Sequence, residues 1–186
     1  MDEFYFFGDS ITYGYGVEKS HSWPYIFCKN KNKVFKDLSV NGLIAKDMLE
    51  IIKTCKFENA EIFFMIGIND KLLGLDYKLK ENLENIAKEF INRSKKIYSG
   101  IYPVFDFEEL AKYSLANEEY YKNAYYSLKE EIINLNKKYG LITVDFSKMK
   151  LPKNQTIFFD GLHLNRSGNE LLALYFENTY DRIDLR

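Results

Sequence analysis

Histidine and cysteine are scarce in this chain, with two of each among 186 residues. Cys28 and Cys55 stand far apart and match no metal-ligand spacing, so they are expected as free, buried thiols in a reducing cytoplasm. Neither sign of charge dominates: 26 basic and 27 acidic residues leave a net charge of −1, mixed along the chain. No basic block or stripe points to a nucleic-acid partner, and no polybasic patch points to an anionic membrane. No apolar run is long enough to span a bilayer, and the N-terminus lacks the charged-then-apolar layout of a secretory signal. Internal repeats, low-complexity tracts and linkers are absent as well. These absences leave a cytoplasmic protein with no nucleic-acid or membrane partner.

What is present is a core. Hydrophobic residues make up 46% and aromatics 17%, a globular composition, and the length suits one domain spanning residues 1–186. Phe4 to Phe7 read as a short buried strand, Lys33 to Val40 as a second and Ala60 to Gly67 as a third, apolar enough to be covered on both sides. Ile97 to Val104 and Leu141 to Phe146 supply a fourth and a fifth strand. Helical patterns fall between them: Ser22 to Asn30 with Pro24 in its first turn, Leu43 to Cys55, Glu81 to Lys96, Asn117 to Tyr139, and a last helix from Ser167 to Tyr180. This alternation predicts an α/β fold with a parallel sheet of about five strands and helices on both faces. The one longer excursion, Pro103 to Tyr121, leaves the end of a strand and reads equally well as a binding loop or as a solvated connector with a short helix in it.

Polar residues collect where the strands stop. The first strand ends in Gly8-Asp9-Ser10, the second in Asn41-Gly42 and the third in Gly67-Ile68-Asn69-Asp70. After the fifth the chain reaches FFDGLHLNRSG, which holds Asp160 and His163. In a parallel sheet these ends share one edge, the edge where ligands bind, so residues distant in sequence can converge there. Acyl transfer needs such a set: a hydroxyl to attack, an imidazole to take its proton, a carboxylate to orient the imidazole, and N–H donors for the oxyanion. Each member has a plainer reading. Ser10, Asn69 and Asp70 suit helix caps, Gly42 suits a turn, and Asp160 with His163 suits an ordinary loop pair. The other histidine, His21, reads as a surface residue near a helix start, with no carboxylate partner nearby.

The four stretches, in this order, resemble the sequence blocks of the SGNH hydrolases, also called GDSL esterases/lipases. GDSITYG (Gly8 to Gly14) is similar to their first block, Gly42 to the glycine of their second, Gly67 to Asp70 to their third, and Asp160 to His163 to their fifth. The chain departs from many members in carrying Leu164 in place of proline, and Gly42 lacks the following glycine that some carry. The resemblance implies a three-layer α/β/α, flavodoxin-like fold. It also implies Ser10 as nucleophile, His163 as general base and Asp160 as its orienter. The backbone N–H groups of Ser10 and Gly42, with the Asn69 side chain, would form the oxyanion hole. No metal and no organic cofactor is implied.

The leading functional expectation is a serine esterase that cleaves a small acyl ester, short-chain or acetyl, with an acetylated sugar among the candidate substrates. An acyltransferase using the same site is the nearest alternative. A nucleotide- or flavin-binding module is a different class, disfavoured because neither G-x-x-x-x-G-K-[ST] nor G-x-G-x-x-G occurs; a G-x-S-x-G elbow is missing too. Tyr13, Tyr15, Trp23, Tyr102 and Phe105 are candidates for lining the substrate cleft, or else for the core.

Overall fold

The computed structural model describes residues 2–112, 114–150 and 156–184. In chain order the elements are β1 (Glu3–Gly8), α1 (Ser10–Tyr13), α2 (Trp23–Asn30), β2 (Val34–Asp37), α3 (Ala45–Thr54), β3 (Ala60–Met65) and α4 (Ile68–Leu72). There follow α5 (Leu79–Ile91), β4 (Ser94–Ile101), α6 (Phe107–Lys112), α7 (Glu118–Tyr139), β5 (Ile142–Asp145) and α8 (Arg166–Asp184). The strands form one all-parallel sheet in the order β2-β1-β3-β4-β5. That is the flavodoxin-like order, whose switch point between β1 and β3 opens a crevice at the carboxyl ends of the strands.

Strand alternation sorts the aromatic residues into two cores. Phe4 and Phe6 face one side, where they meet Phe27 of α2 and Phe176 of α8. Trp23, fully buried, stands edge-on to Phe63 and Phe176 in the same layer, at 4.8 and 5.7 Å between ring centroids. Phe7 faces the other side and meets Phe57 and Phe90, with α3 and α7 packed beside α5. Cys28 is buried and Cys55 half-buried, both as free thiols. Burial pushes the Cys28 thiol up to about 12. Among the described residues no helix is long and apolar enough to cross a membrane.

Several element boundaries differ from the sequence reading, most of all where α5 passes into β4. The helix expected to reach Lys96 stops at Ile91, and Ser94 and Lys96 pair instead with Ala60 and Glu61 at the start of β4. Their polar character reads as a helix surface, but pairing beside β3 overrides it; at the other end the strand stops at Ile101, short of Pro103, which has no N–H to give a ladder. The edge strand β2 is only four residues long and half-buried throughout. Even so, Leu38 N–H donates to Phe6 O at 2.8 Å and Val40 N–H to Gly8 O at 3.0 Å, so the backbone tracks β1 to its very end.

Candidate active site

At the end of β1 the chain turns directly into α1, and Asp9 makes the turn. One oxygen of its buried carboxylate accepts from the Ile11 N–H at 3.0 Å, capping the helix. The other accepts from the Tyr102 hydroxyl at 2.5 Å, and the Tyr102 carbonyl in turn accepts from the Tyr125 hydroxyl at 2.9 Å. Burial pushes the Asp9 carboxyl up to about 6, against the opposing pull of the Tyr102 hydrogen bond. The same burial, with Asp9 alongside, raises the Tyr102 phenol well above its ordinary value. At this helix start the Asp9 carboxylate takes up the Ile11 N–H and sets a negative charge where a phosphate would have to sit. Trp23 braces α1 from below, its indole N–H donating to Ile11 O at 3.1 Å.

Ser10 is the first residue of α1, and its hydroxyl lies 2.9 Å from His163 Nε2. His163 Nδ1 lies 2.6 Å from Asp160 Oδ2. The other Asp160 oxygen accepts from the backbone N–H groups of Leu162 and His163, at 3.0 and 2.7 Å, so the carboxylate also shapes the loop that carries the histidine. Burial raises the Asp160 carboxyl, but the His163 ring and these two N–H groups outweigh it and hold the group below its ordinary value. The loop is closed by Phe159 N–H to His163 O at 3.0 Å and by a bridge between Phe158 and Leu164, which is buried. It is pinned from outside by Asp106 N–H to Gly161 O at 3.0 Å. The segment after β4 carries the short helix α6 of the connector reading, and through Asp106 it also ties down the histidine loop.

On the other side of Ser10 a second set of bonds shapes the turn holding Gly42, which adopts φ 72°. Asn69 Nδ2 donates to Leu43 O at 2.9 Å, and both Asp70 oxygens accept from Ala45 N–H, at 3.2 and 3.0 Å, at the start of α3. Burial pushes the Asp70 carboxyl up to about 6, and the Ala45 N–H opposes this. Neither Asn69 nor Asp70 caps its own helix, since Gly67 is the cap residue of α4. Among the described residues, neither the Ser10 nor the Gly42 backbone N–H donates to any turn, cap or loop acceptor.

The expected cleft residues separate. Tyr102 and Phe105 are 1% and 4% exposed and belong to the core, a correction to their placement in the cleft: Tyr102 is held by Asp9, and Phe105 packs against Tyr125. Trp23 is likewise core. Tyr13 is partly exposed, but its ring lies under Lys19, which is paired with Asp37 at the β2 edge. Tyr15 alone of the five stands beside the histidine, ring centroids 4.6 Å apart. Phe159, absent from the sequence expectations, stacks on the same imidazole at 5.7 Å. Ile157 and Phe158 are both buried, so no alternation in the sequence marked Phe159 as facing outward. His21, against expectation, has a carboxylate near it, Glu18 at 3.8 Å. A groove of about 320 Å³ between α5 and α7, lined by Leu83, Leu135 and Lys138, contains none of the strand-end residues. Among the described residues no three His, Cys, Asp or Glu side chains cluster as metal ligands would.

A strand-end serine bonded to an imidazole, itself bonded to a carboxylate, is the constellation of a serine hydrolase. Residues 4–176 match the GDSL-like lipase/acylhydrolase family, and the chain belongs to that family. A member of the lipolytic protein G-D-S-L family from Veillonella parvula DSM 2008 superposes with a TM-score of 0.82 at 21% identity, covering 98% of this chain and all 100% of its own. Phospholipase A1 from Streptomyces albidoflavus NA297 gives 0.71 at 13% identity, over 97% of this chain and 98% of its own. A carbohydrate acetylesterase family member from Sinorhizobium meliloti gives 0.71 at 16%, over 97% of both chains. At these identities the likeness concerns the fold alone. No curated protein matches the sequence.

Proposed function

We propose that this acylhydrolase is a serine esterase that cleaves small acyl esters through an acyl-serine intermediate. The observation that carries the reading is the continuous hydrogen-bonded line from Ser10 Oγ through His163 to Asp160 Oδ2. Ser10 Oγ attacks the ester carbonyl carbon while its proton passes to His163 Nε2, and Asp160 stabilises the imidazolium and fixes its tautomer. The oxyanion forms opposite the histidine, where the unengaged N–H groups of Ser10 and Gly42 and the Asn69 amide converge in this reading. As the intermediate collapses the carbon–alkoxy bond breaks and His163 returns the proton to the departing alcohol oxygen. Water, deprotonated by the same imidazole, then releases the acid and restores Ser10.

The turn at Gly42 is open, with nothing within 4 Å of the position a Cβ would take, so a carbonyl oxygen can reach its N–H. With Tyr102 and Phe105 committed to the core, two of the aromatic walls that a deep acyl channel would use are missing. The test is an ester panel of graded acyl length, run beside Ser10→Ala. Acetyl to butyryl esters are expected to be cleaved faster than palmitoyl, with all turnover lost in the variant. Faster palmitoyl cleavage would overturn the acyl preference, and undiminished turnover in Ser10→Ala would overturn the acyl-serine route.

A further inference from the structure

Two aromatic rings at the site have no part in the chemistry just described. Tyr15 and Phe159 remain 46% and 49% exposed although both lie against the catalytic imidazole, and their own ring centroids are 6.2 Å apart. Their positions are fixed by the two loops that carry the reacting groups: Tyr15 N–H donates to Ser10 O, and Phe159 N–H donates to His163 O, each at 3.0 Å. A Cβ on Gly16 would come within 2.4 Å of the Phe159 ring, so that ring lies directly on the backbone next to Tyr15. Large apolar side chains left half in water at a rigidly held place beside a reacting atom are suited to contact a ligand.

The direction of proton transfer says which part of the ligand. His163 Nε2 must reach the departing oxygen to protonate it, so the alcohol portion leaves along the imidazole. The carbonyl oxygen turns toward Gly42 and Asn69, and the acyl portion takes the remaining direction from the carbonyl carbon, away from the departing alcohol. Resting on the esterase reading, we propose that Tyr15 and Phe159 form the subsite for the alcohol portion and select an alcohol that carries a flat ring. An aryl ring and a pyranose share the chemistry required: a broad face of C–H or π character that covers the two side chains while its edge stays hydrated.

The experiment compares kcat/KM for benzyl acetate, methyl 6-O-acetylglucopyranoside and ethyl acetate, all acetate esters of primary alcohols. At least one ring-bearing ester should be preferred over ethyl acetate, and the two arms distinguish an aryl from a sugar face. Tyr15→Ala and Phe159→Ala should each lower that preference about three- to tenfold, the effect of one aromatic contact, whereas Tyr15→Phe, which retains the ring, should preserve it. The ratio of ethyl acetate to ethyl butyrate should stay put in all three variants, because the acyl group lies on the other side of the carbonyl. No ring preference in the unmodified protein, a preference that survives both alanine variants, or an acyl ratio that moves with it would overturn the subsite. Fluorophosphonate labelling of Ser10 in the same preparations separates the two claims. Labelling without a ring preference removes the subsite alone; neither labelling nor hydrolysis of any ester removes the esterase reading and the subsite with it.

Discussion

Replacing Tyr102 by Phe deletes one oxygen atom from the core and changes nothing else in its packing. That oxygen donates to Asp9 Oδ2 at 2.5 Å, with both residues almost fully buried, so no water is at hand to replace it. A hydrogen bond to an ionised group contributes about 1.5–3 kcal/mol, and a neutral one about 1 kcal/mol. For a chain of this size each kcal/mol moves the melting midpoint by about 2–4 °C, so a loss of about 2 kcal/mol corresponds to about 4–8 °C. The loss should depend on pH, and its sign follows from Asp9. Burial raises that carboxyl from 3.8 to about 6, so its contribution to stability is fully present below 3.8 and is lost as pH rises through about 6. Without the phenol to solvate it the charge is still harder to bury, and the folded-state value rises further. The deficit of Tyr102→Phe is therefore expected to be larger at about pH 8, where Asp9 is ionised, than at about pH 5, where it is mostly neutral. Urea and thermal unfolding of both proteins at the two pH values measure it. An equal deficit at both would refute the assignment of the titration to Asp9, and no deficit at either would refute the bond itself.

Other expectations concern the site and its frame. Asn69→Ala should lower kcat by about 10²–10³ with KM little changed if the amide faces the oxyanion, and should cost on the order of 1 kcal/mol for the lost bond to Leu43 O; steady-state kinetics and the melting midpoint are read together. Asp160→Asn leaves an acceptor for the loop N–H groups but removes the charge that orients His163, so kcat should fall by on the order of 10⁴ in a protein that still folds. A loss confined to stability would count against that role. Asp70, also raised to about 6 by burial, makes stability fall as pH rises through that value, so Asp70→Asn should flatten the stability profile between about pH 4 and pH 6; a slope equal to the unmodified protein's would contradict this.

The parts of the molecule legible in the sequence are those with strong periodicity or forced position. Phe4 to Phe7 announce a buried strand whatever surrounds them, and a parallel sheet then brings the residues just past its strand ends to one edge. That is how Ser10, Asp160 and His163, 153 residues apart at the extremes, could be named together. The short helices α1 and α4 left no periodic signal because four or five residues complete barely one turn. Tyr102 was unreadable for another reason. An aromatic residue just beyond a strand suits a core or a cleft equally, and what decides is a hydroxyl contact with Asp9, 93 residues away. Phe159 was no more readable: Ile157 and Phe158 before it are both buried, and its exposure shows only once the bridge between Phe158 and Leu164 places the loop.

The central claim is that Ser10 is the nucleophile and that the line through His163 to Asp160 activates it. A fluorophosphonate probe, which reacts only with an activated hydroxyl, followed by peptide mapping tests it most directly. The predicted result is a single adduct on Ser10, absent in Ser10→Ala and strongly slowed in His163→Ala, with both variants folded by circular dichroism. An adduct on another residue, or undiminished labelling of Ser10 without the imidazole, would contradict it.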